Sequence, residues 1–218
     1  MNKSQMIFNA MQIPGMVSEW DLDLIYDQAQ EYVQINGFAL EIGGWKGRST
    51  YVIANVCKEK DAVLYELDTF AGVEDPASRK NKEGNLNGYY EAVTNPNFME
   101  IMKDNLKDLP VVFFKGDSKE TIHKIPDETI DYSFIDGNHD APFIDADIKN
   151  TIQKMRLGGL MTGHDHGNPD GDVHGALDRI GWKPHVDIKF NVRPVDKDPK
   201  YALTIWSRII QINDYEKV

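Results

Sequence analysis

The 218 residues, 41% hydrophobic and 27% charged, suit a soluble globular chain of one domain, 1–218, and no apolar run approaches the roughly 18 residues of a membrane-spanning helix. A net charge of −11 argues against nucleic acid as a substrate, because phosphate backbones bind chiefly through Lys and Arg, and no basic stretch exceeds the mixed segment Arg79–Lys82. The single cysteine, Cys57, cannot form an internal disulfide, and the N-terminus has no continuous apolar stretch for a secretory signal, so a reducing cytoplasmic location is expected.

Residues 1–35 read as an N-terminal helical segment. Within it Ser18 to Val33 is amphipathic, with Leu22, Ile25, Ala29 and Tyr32 three or four apart, Ser18 as N-cap and Asp21 in an acidic first turn. An alternation follows. Strands are predicted at Phe38–Ile42, Ala62–Phe70, Val111–Lys115, Ile130–Ile135 and Leu160–Thr162. The helices between and after them are Arg48–Lys58, Phe98–Leu106, Ala141–Arg156 and Asp172–Ile180. Strands alternating with helices imply a parallel sheet covered on both faces. The last two strands, His185–Phe190 and Ala202–Ile210, are joined by the Pro- and Asp-rich stretch Asn191–Lys200 without a helix, so one late strand should run antiparallel. Segment 71–97, rich in Gly, Pro and polar residues, lies beyond a strand end and reads as a substrate or lid loop.

In open α/β sheets ligands bind beyond the carboxyl ends of the strands. Those ends read Glu41 to Gly47, Glu66-Leu67-Asp68, Gly116-Asp117-Ser118, Asp136 to His139 and His164-Asp165-His166. Five acidic or His-bearing ends on one rim suit a cation, a polyhydroxylated ligand, or both, because crowded carboxylates repel each other. Gly43 and Gly47 let the backbone approach a ligand, and the following helix points N–H groups at it. The spacing is not G-x-G-x-x-G, since Trp45 and Arg48 interrupt it. Glu41 in that turn disfavours a pyrophosphate and suits an ammonium or sulfonium. Asp68 can accept from a ribose diol. Asp117 can accept from an exocyclic amine with Ser118 offering a backbone N–H, although a Gly-Asp-Ser turn is equally a helix N-cap. His139, just past Asp136, can serve as general base, while a structural histidine is the plainer alternative.

Glu41-Ile-Gly-Gly-Trp-Lys-Gly-Arg-Ser-Thr50 resembles the first motif of class I methyltransferases, and Leu64–Phe70, Lys115–Ser118, Phe134–His139 and Leu157–His166 match the later ones in order. The chain is most similar to methyltransferase family 24, near the macrocin and sugar O-methyltransferases, from about residue 13 to 181. The resemblance implies a Rossmann-like three-layer sandwich with a seven-stranded, mostly parallel sheet in the order 3-2-1-4-5-7-6, the last strand antiparallel. It also implies S-adenosylmethionine held at Glu41, Gly43, Gly44, Gly47, Ser49, Asp68, Asp117, Ser118 and Asp136. Methyl transfer to the hydroxyl of a sugar or natural product would use Asp136 and His139. In metal-dependent relatives the positions of Asp136, Asp165 and His166 hold a divalent ion, Mg²⁺ or Mn²⁺; a His in that set departs from the all-oxygen preference of Mg²⁺. The group often forms homodimers. A rival resemblance, of Gly137–Asp140 and Gly163–His166 to calcineurin-like metallophosphoesterases, lacks that family's opening Asp-x-His. A methyltransferase fold that binds the cofactor without catalysis is the third reading.

Overall fold

The computed structural model describes residues 1–70, 97–167, 171–183, 188–192 and 204–218. Seven strands form one sheet: β1 Phe38–Ile42, β2 Val63–Asp68, β3 Val111–Lys115, β4 Ile130–Ile135, β5 Met155–Gly163, β6 Lys189–Val192 and β7 Thr204–Ile209. Their order is β3-β2-β1-β4-β5-β7-β6. The first five are mutually parallel, and β7 is antiparallel to both neighbours. This is the Rossmann-like architecture that the resemblance implies, with its single reversed strand.

The helices are α1 Lys3–Gln12, α2 Glu19–Tyr32, α3 Arg48–Glu59, α4 Phe98–Asn105, α5 Ser118–Thr121, α6 Ala141–Lys154 and α7 Val173–Arg179. Alternation along each strand sorts side chains to two faces. Ala39, Leu64, Tyr132, Phe134 and Ile205 pack with buried residues of α1, α2 and α3. Leu40, Ile42, Leu67, Ile135, Met161 and Trp206 pack with Ile144, Ile148 and Ile152 of α6 and with Val173, Ala176 and Leu177 of α7. Helix α2 begins as its sequence predicts: Ser18 caps the Asp21 amide and Asp21 returns a bond to the Ser18 amide, a full capping box. The Ile-Pro-Gly turn that joins α1 to α2 is clamped from α3. The Arg48 guanidinium donates to the Ile13 carbonyl at 2.7 Å and the Val17 carbonyl at 2.9 Å.

Several boundaries differ from expectation, and the strand expected over Ala62–Phe70 is the shorter β2. The helix predicted to reach Arg156 stops at Lys154, because Met155 pairs with Ile130 and opens β5 at once. Strand β5 is accordingly longer than Leu160–Thr162. Strand β6 covers Lys189–Val192, past the expected end at Phe190; its expected start at His185 falls in 184–187, which lie outside the described residues, as do 71–96 and 193–203, which hold nearly all of the expected lid loop and the connection between the last strands. No helix among the described residues is long and apolar enough to cross a membrane.

The reversed strand is anchored by a buried polar network. Asp214, with no solvent exposure, accepts from the Arg208 guanidinium at 2.7 and 3.0 Å, from Trp182 Nε1 at 3.0 Å and from the Gln211 amide at 2.9 Å. Removing one member of a buried ion pair leaves the other charge uncompensated, at a cost of about 3–5 kcal/mol. Asp214→Ala is therefore expected to lose stability on that scale in urea unfolding; a midpoint equal to that of the parent protein would contradict the role given to this network.

Candidate cofactor and catalytic site

The turn after β1 is shaped by contacts that only glycine permits. Gly43 has φ +89°, and a Cβ there would fall 2.5 Å from the Asp136 carbonyl oxygen, so the β1 turn runs directly against the β4 turn. A Cβ on Gly44 would meet Thr50 Oγ1, Met102 and Glu66 Oε1 within 2.7 Å. Gly47, at φ +94°, is the N-cap of α3 and supplies no side chain to its first amides. Those amides remain available to a ligand in the way a helix N-terminus allows. Trp45 also takes a left-handed conformation, φ 51°, unusual for so bulky a residue. Its amide is held by Asp68 Oδ2 at 3.1 Å.

Glu41 lies beneath this turn rather than on its surface. It has no solvent exposure, its oxygens make no hydrogen bond of normal geometry, and burial raises its pKa to about 7. Ser49 and Thr50, at the start of α3, are buried beside it and act in the opposite sense. Asp68 ends β2 with one oxygen on the Trp45 amide and the other on the Phe70 amide at 2.8 Å. Burial raises its pKa against those bonds. Thr69 also bonds to this carboxylate, so a diol would share its oxygens with these donors. Asp117 is the N-cap of α5, accepting from the Lys119 amide at 2.9 Å. The N-cap reading of the Gly-Asp-Ser turn is the one that the structure shows. The Ser118 hydroxyl is engaged by Asp147 of α6 at 2.5 Å, and burial pushes the Asp147 carboxyl up to about 6.

The turns after β4 and β5 build a second group beside the first. His139 sits between two carboxylates: Nε2 is 3.4 Å from Asp136 Oδ1 and Nδ1 is 3.3 Å from Asp165 Oδ2. Burial alone would lower its pKa, but the hydrogen bond and charge of Asp136 and the charge of Asp165 raise it overall. His164 lies behind this group, 3% exposed, with Nδ1 3.7 Å from Asp136 and 3.5 Å from Asp165 and Nε2 3.6 Å from Asp21 of α2. Burial would lower its pKa, but the three carboxylates outweigh it and hold the group well above the usual histidine range. Asp136, His139 and Asp165 each offer a donor atom within 4.8 Å of one another. Two carboxylate oxygens and an imidazole suit Mn²⁺, Zn²⁺ or Fe²⁺ better than Mg²⁺. His166, expected as the third ligand, instead meets the His174 ring, Nε2 to Nδ1 at 3.1 Å, on α7. Asp165, at φ 59°, turns the chain between them, so adjacent residues face different neighbours.

The family model for a methyltransferase domain, family 24, matches residues 40–166, more than half of the chain and the whole run from the glycine turn to the β5 turn. The chain belongs to methyltransferase family 24. No curated protein sequence matches it. Among solved structures, this methyltransferase is similar to TomG from Streptomyces achromogenes, an O-methyltransferase involved in tomaymycin synthesis and solved with SAM. Identity is 14%, TM-score 0.62, and coverage 95% of this chain and 88% of that one. An O-methyltransferase from Bacillus cereus solved with SAH is 16% identical, with TM-score 0.60 and coverage of 94% and 90%. An rRNA methylase from Streptococcus thermophilus is 9% identical, with TM-score 0.59 and coverage of 90% and 100%. At these identities the likeness concerns the fold, and the acceptors of similar folds range from small molecules to RNA. The phosphoesterase reading is set aside by the family match.

Three residues of the methyltransferase site carry more of its geometry than sequence reasoning assigns to them. Asp21 is visible in sequence only as half of a capping box. His164 and Glu66 stand in strand-end motifs, but nothing in their spacing announces full burial. Helix α2 brings Asp21 under the β5 turn, and strand pairing brings Glu66 opposite Glu41.

Proposed function

We propose that this methyltransferase transfers the methyl group of S-adenosylmethionine to a hydroxyl of a small molecule, with His139 receiving the hydroxyl proton. The observation that carries this reading is the clamping of His139 between Asp136 and Asp165, on the strand end next to the glycine turn. S-adenosylmethionine supplies a methyl group on a sulfonium, a leaving group good enough that no covalent enzyme intermediate is needed. Asp68 holds the ribose diol, and the uncapped N-terminus of α3 faces the ligand beyond the turn. With the cofactor bound, the acceptor oxygen would attack its methyl carbon in line, the carbon–sulfur electron pair would return to sulfur, and His139 would take the hydroxyl proton. Alignment of this kind contributes on the order of 7–11 kcal/mol. Asp136 and Asp165 orient the imidazole and stabilise its protonated form. The net charge of −11 favours a small acceptor over RNA.

A second reading is favoured by the convergence of donor atoms: Asp136, His139 and Asp165 would together hold a divalent ion that lowers the pKa of the acceptor hydroxyl. In that case His139 is a ligand and not the base. Calorimetric titration with S-adenosylmethionine and S-adenosylhomocysteine, with and without Mg²⁺ or Mn²⁺, followed by labelled-methyl transfer to a panel of sugar and phenolic hydroxyls, tests both. Saturable binding of both nucleosides and transfer that survives EDTA are expected. Transfer abolished by EDTA and restored by Mn²⁺ would replace the base by the metal. Binding without transfer to any hydroxyl would count against O-methylation, and no binding would sink the cofactor reading.

A further inference from the structure

Strand pairing sets Glu41 of β1 directly opposite Glu66 of β2, both without solvent exposure, on the sheet face covered by α3. One Glu66 oxygen accepts the Gly44 amide at 2.9 Å. Its other oxygen and both oxygens of Glu41 have no hydrogen-bond partner of normal geometry. Among the described residues no cation is seen to act on the pair. The groups acting on the pair are Asp68 of β2 and Asp136 of β4, both acidic, and the hydroxyls of Ser49 and Thr50 from α3, while Tyr132 of β4 feels the charge of Glu41. Two facing carboxylates cannot both ionise in an apolar interior with nothing to neutralise them. Burial first, then the charges of Glu41 and Asp68, holds Glu66 well above the ordinary carboxyl range, whereas Glu41 stands at about 7. Burial and mutual repulsion thus keep a proton on the pair, shared between Glu41 and Glu66.

We propose that Glu66 is a positioning residue for the glycine turn, and that with Glu41 it forms a proton-sharing carboxyl pair beneath that turn which gives up a proton to solvent when a cationic ligand occupies the turn. This rests on the reading of the turn as the S-adenosylmethionine site. The ligand brings an ammonium and a sulfonium close to a pair on which no cation among the described residues is seen to act, so binding favours the ionised form. By linkage, a site that releases protons on binding binds more tightly as pH rises. The pair therefore makes cofactor affinity depend on pH around neutrality. The same Glu66 oxygen that receives the Gly44 amide accepts more strongly when ionised, so the turn is held more firmly in the liganded protein.

The test is titration of the whole protein with S-adenosylmethionine, without acceptor, in buffers of different ionisation enthalpy at pH 7, with Glu66→Gln and Glu41→Gln beside it. Glutamine at position 66 keeps an acceptor for Gly44 but cannot titrate. Release of about half a proton or more per ligand is expected in the parent protein, with affinity tightening about threefold per pH unit between pH 6 and 8. Either variant that binds should show the release clearly reduced, because each leaves only one of the two titrating carboxyls. A binding enthalpy independent of buffer in the parent protein overturns the proposal on its own, and so does an unchanged release in a variant. Failure of the parent protein to bind S-adenosylmethionine at all would instead overturn the cofactor reading. Binding without proton release leaves that reading standing and removes this one.

Discussion

Asp68→Ala is expected to weaken S-adenosylmethionine binding by at least about 100-fold while the protein remains folded. A hydrogen bond to a charged acceptor contributes roughly 1.5–3 kcal/mol, and the proposed diol contact contains two of them. The loss is compounded locally. Asp68 also holds the amides of Trp45 and Phe70, so its removal frees the glycine turn on one side and the chain after β2 on the other. The global fold should survive, because Asp68 lies at the rim and the strand below it is secured by Leu64 and Leu67 in the two separate cores. Asp68→Asn separates the two effects. Asparagine has only one oxygen to share between two backbone amides and a diol, so intermediate affinity is expected. Calorimetry gives the affinity and circular dichroism the fold. An alanine variant that binds as tightly as the parent protein would remove Asp68 from the cofactor site.

His139→Ala should lower the turnover rate by about 10²–10⁴, the usual range for loss of a general base, with little change in cofactor affinity. Its two aspartate partners come from the turns after β4 and β5, outside the glycine turn proposed to hold the nucleoside, so the effect is expected in the chemical step. The pH dependence has a definite sign. Because the His139 pKa is raised, the neutral, proton-accepting form appears only as pH climbs through that raised value, above the ordinary 6.5 or so of histidine. The parent rate should therefore rise with pH from neutrality into the mildly alkaline range, and that rise should vanish in the variant. Retention of the rising limb in His139→Ala would assign the titration to another group. A fall in affinity equal to the fall in rate would make His139 a binding residue.

The sites of these two substitutions show how far sequence reasoning reaches. The strand-end position of Asp68 is legible because it depends on local rules: an apolar run of strand length with a carboxylate at its end, on the rim where such sheets take ligands. His139 is legible as a candidate for the same reason, two residues past a strand-end glycine. Its clamping is not, since Asp165 comes from the next strand and its reach depends on how β4 and β5 align. The different placement of His139, beside Asp136 and Asp165, and of His166, against His174, has the same origin. Sequence places both beside acidic turns, and the left-handed conformation of Asp165 decides which one shares the cluster.

The pattern of apolar residues determined the strand–helix alternation, the parallel sheet and the reversed strand, because period and turn chemistry are properties of short segments. The motif order along the chain carried the family and with it the sheet order. Only the tertiary structure decided which carboxylates lose their water. Glu41, Asp68, Asp117 and Asp136 all look alike as strand-end acids, yet one is sealed opposite Glu66, one is tied to two amides, one caps a helix and one grips a histidine. Burial and partner choice are set by contacts between segments distant in the chain, and in a low-dielectric interior those contacts control charge, so the chemistry of each acid is a property of the fold.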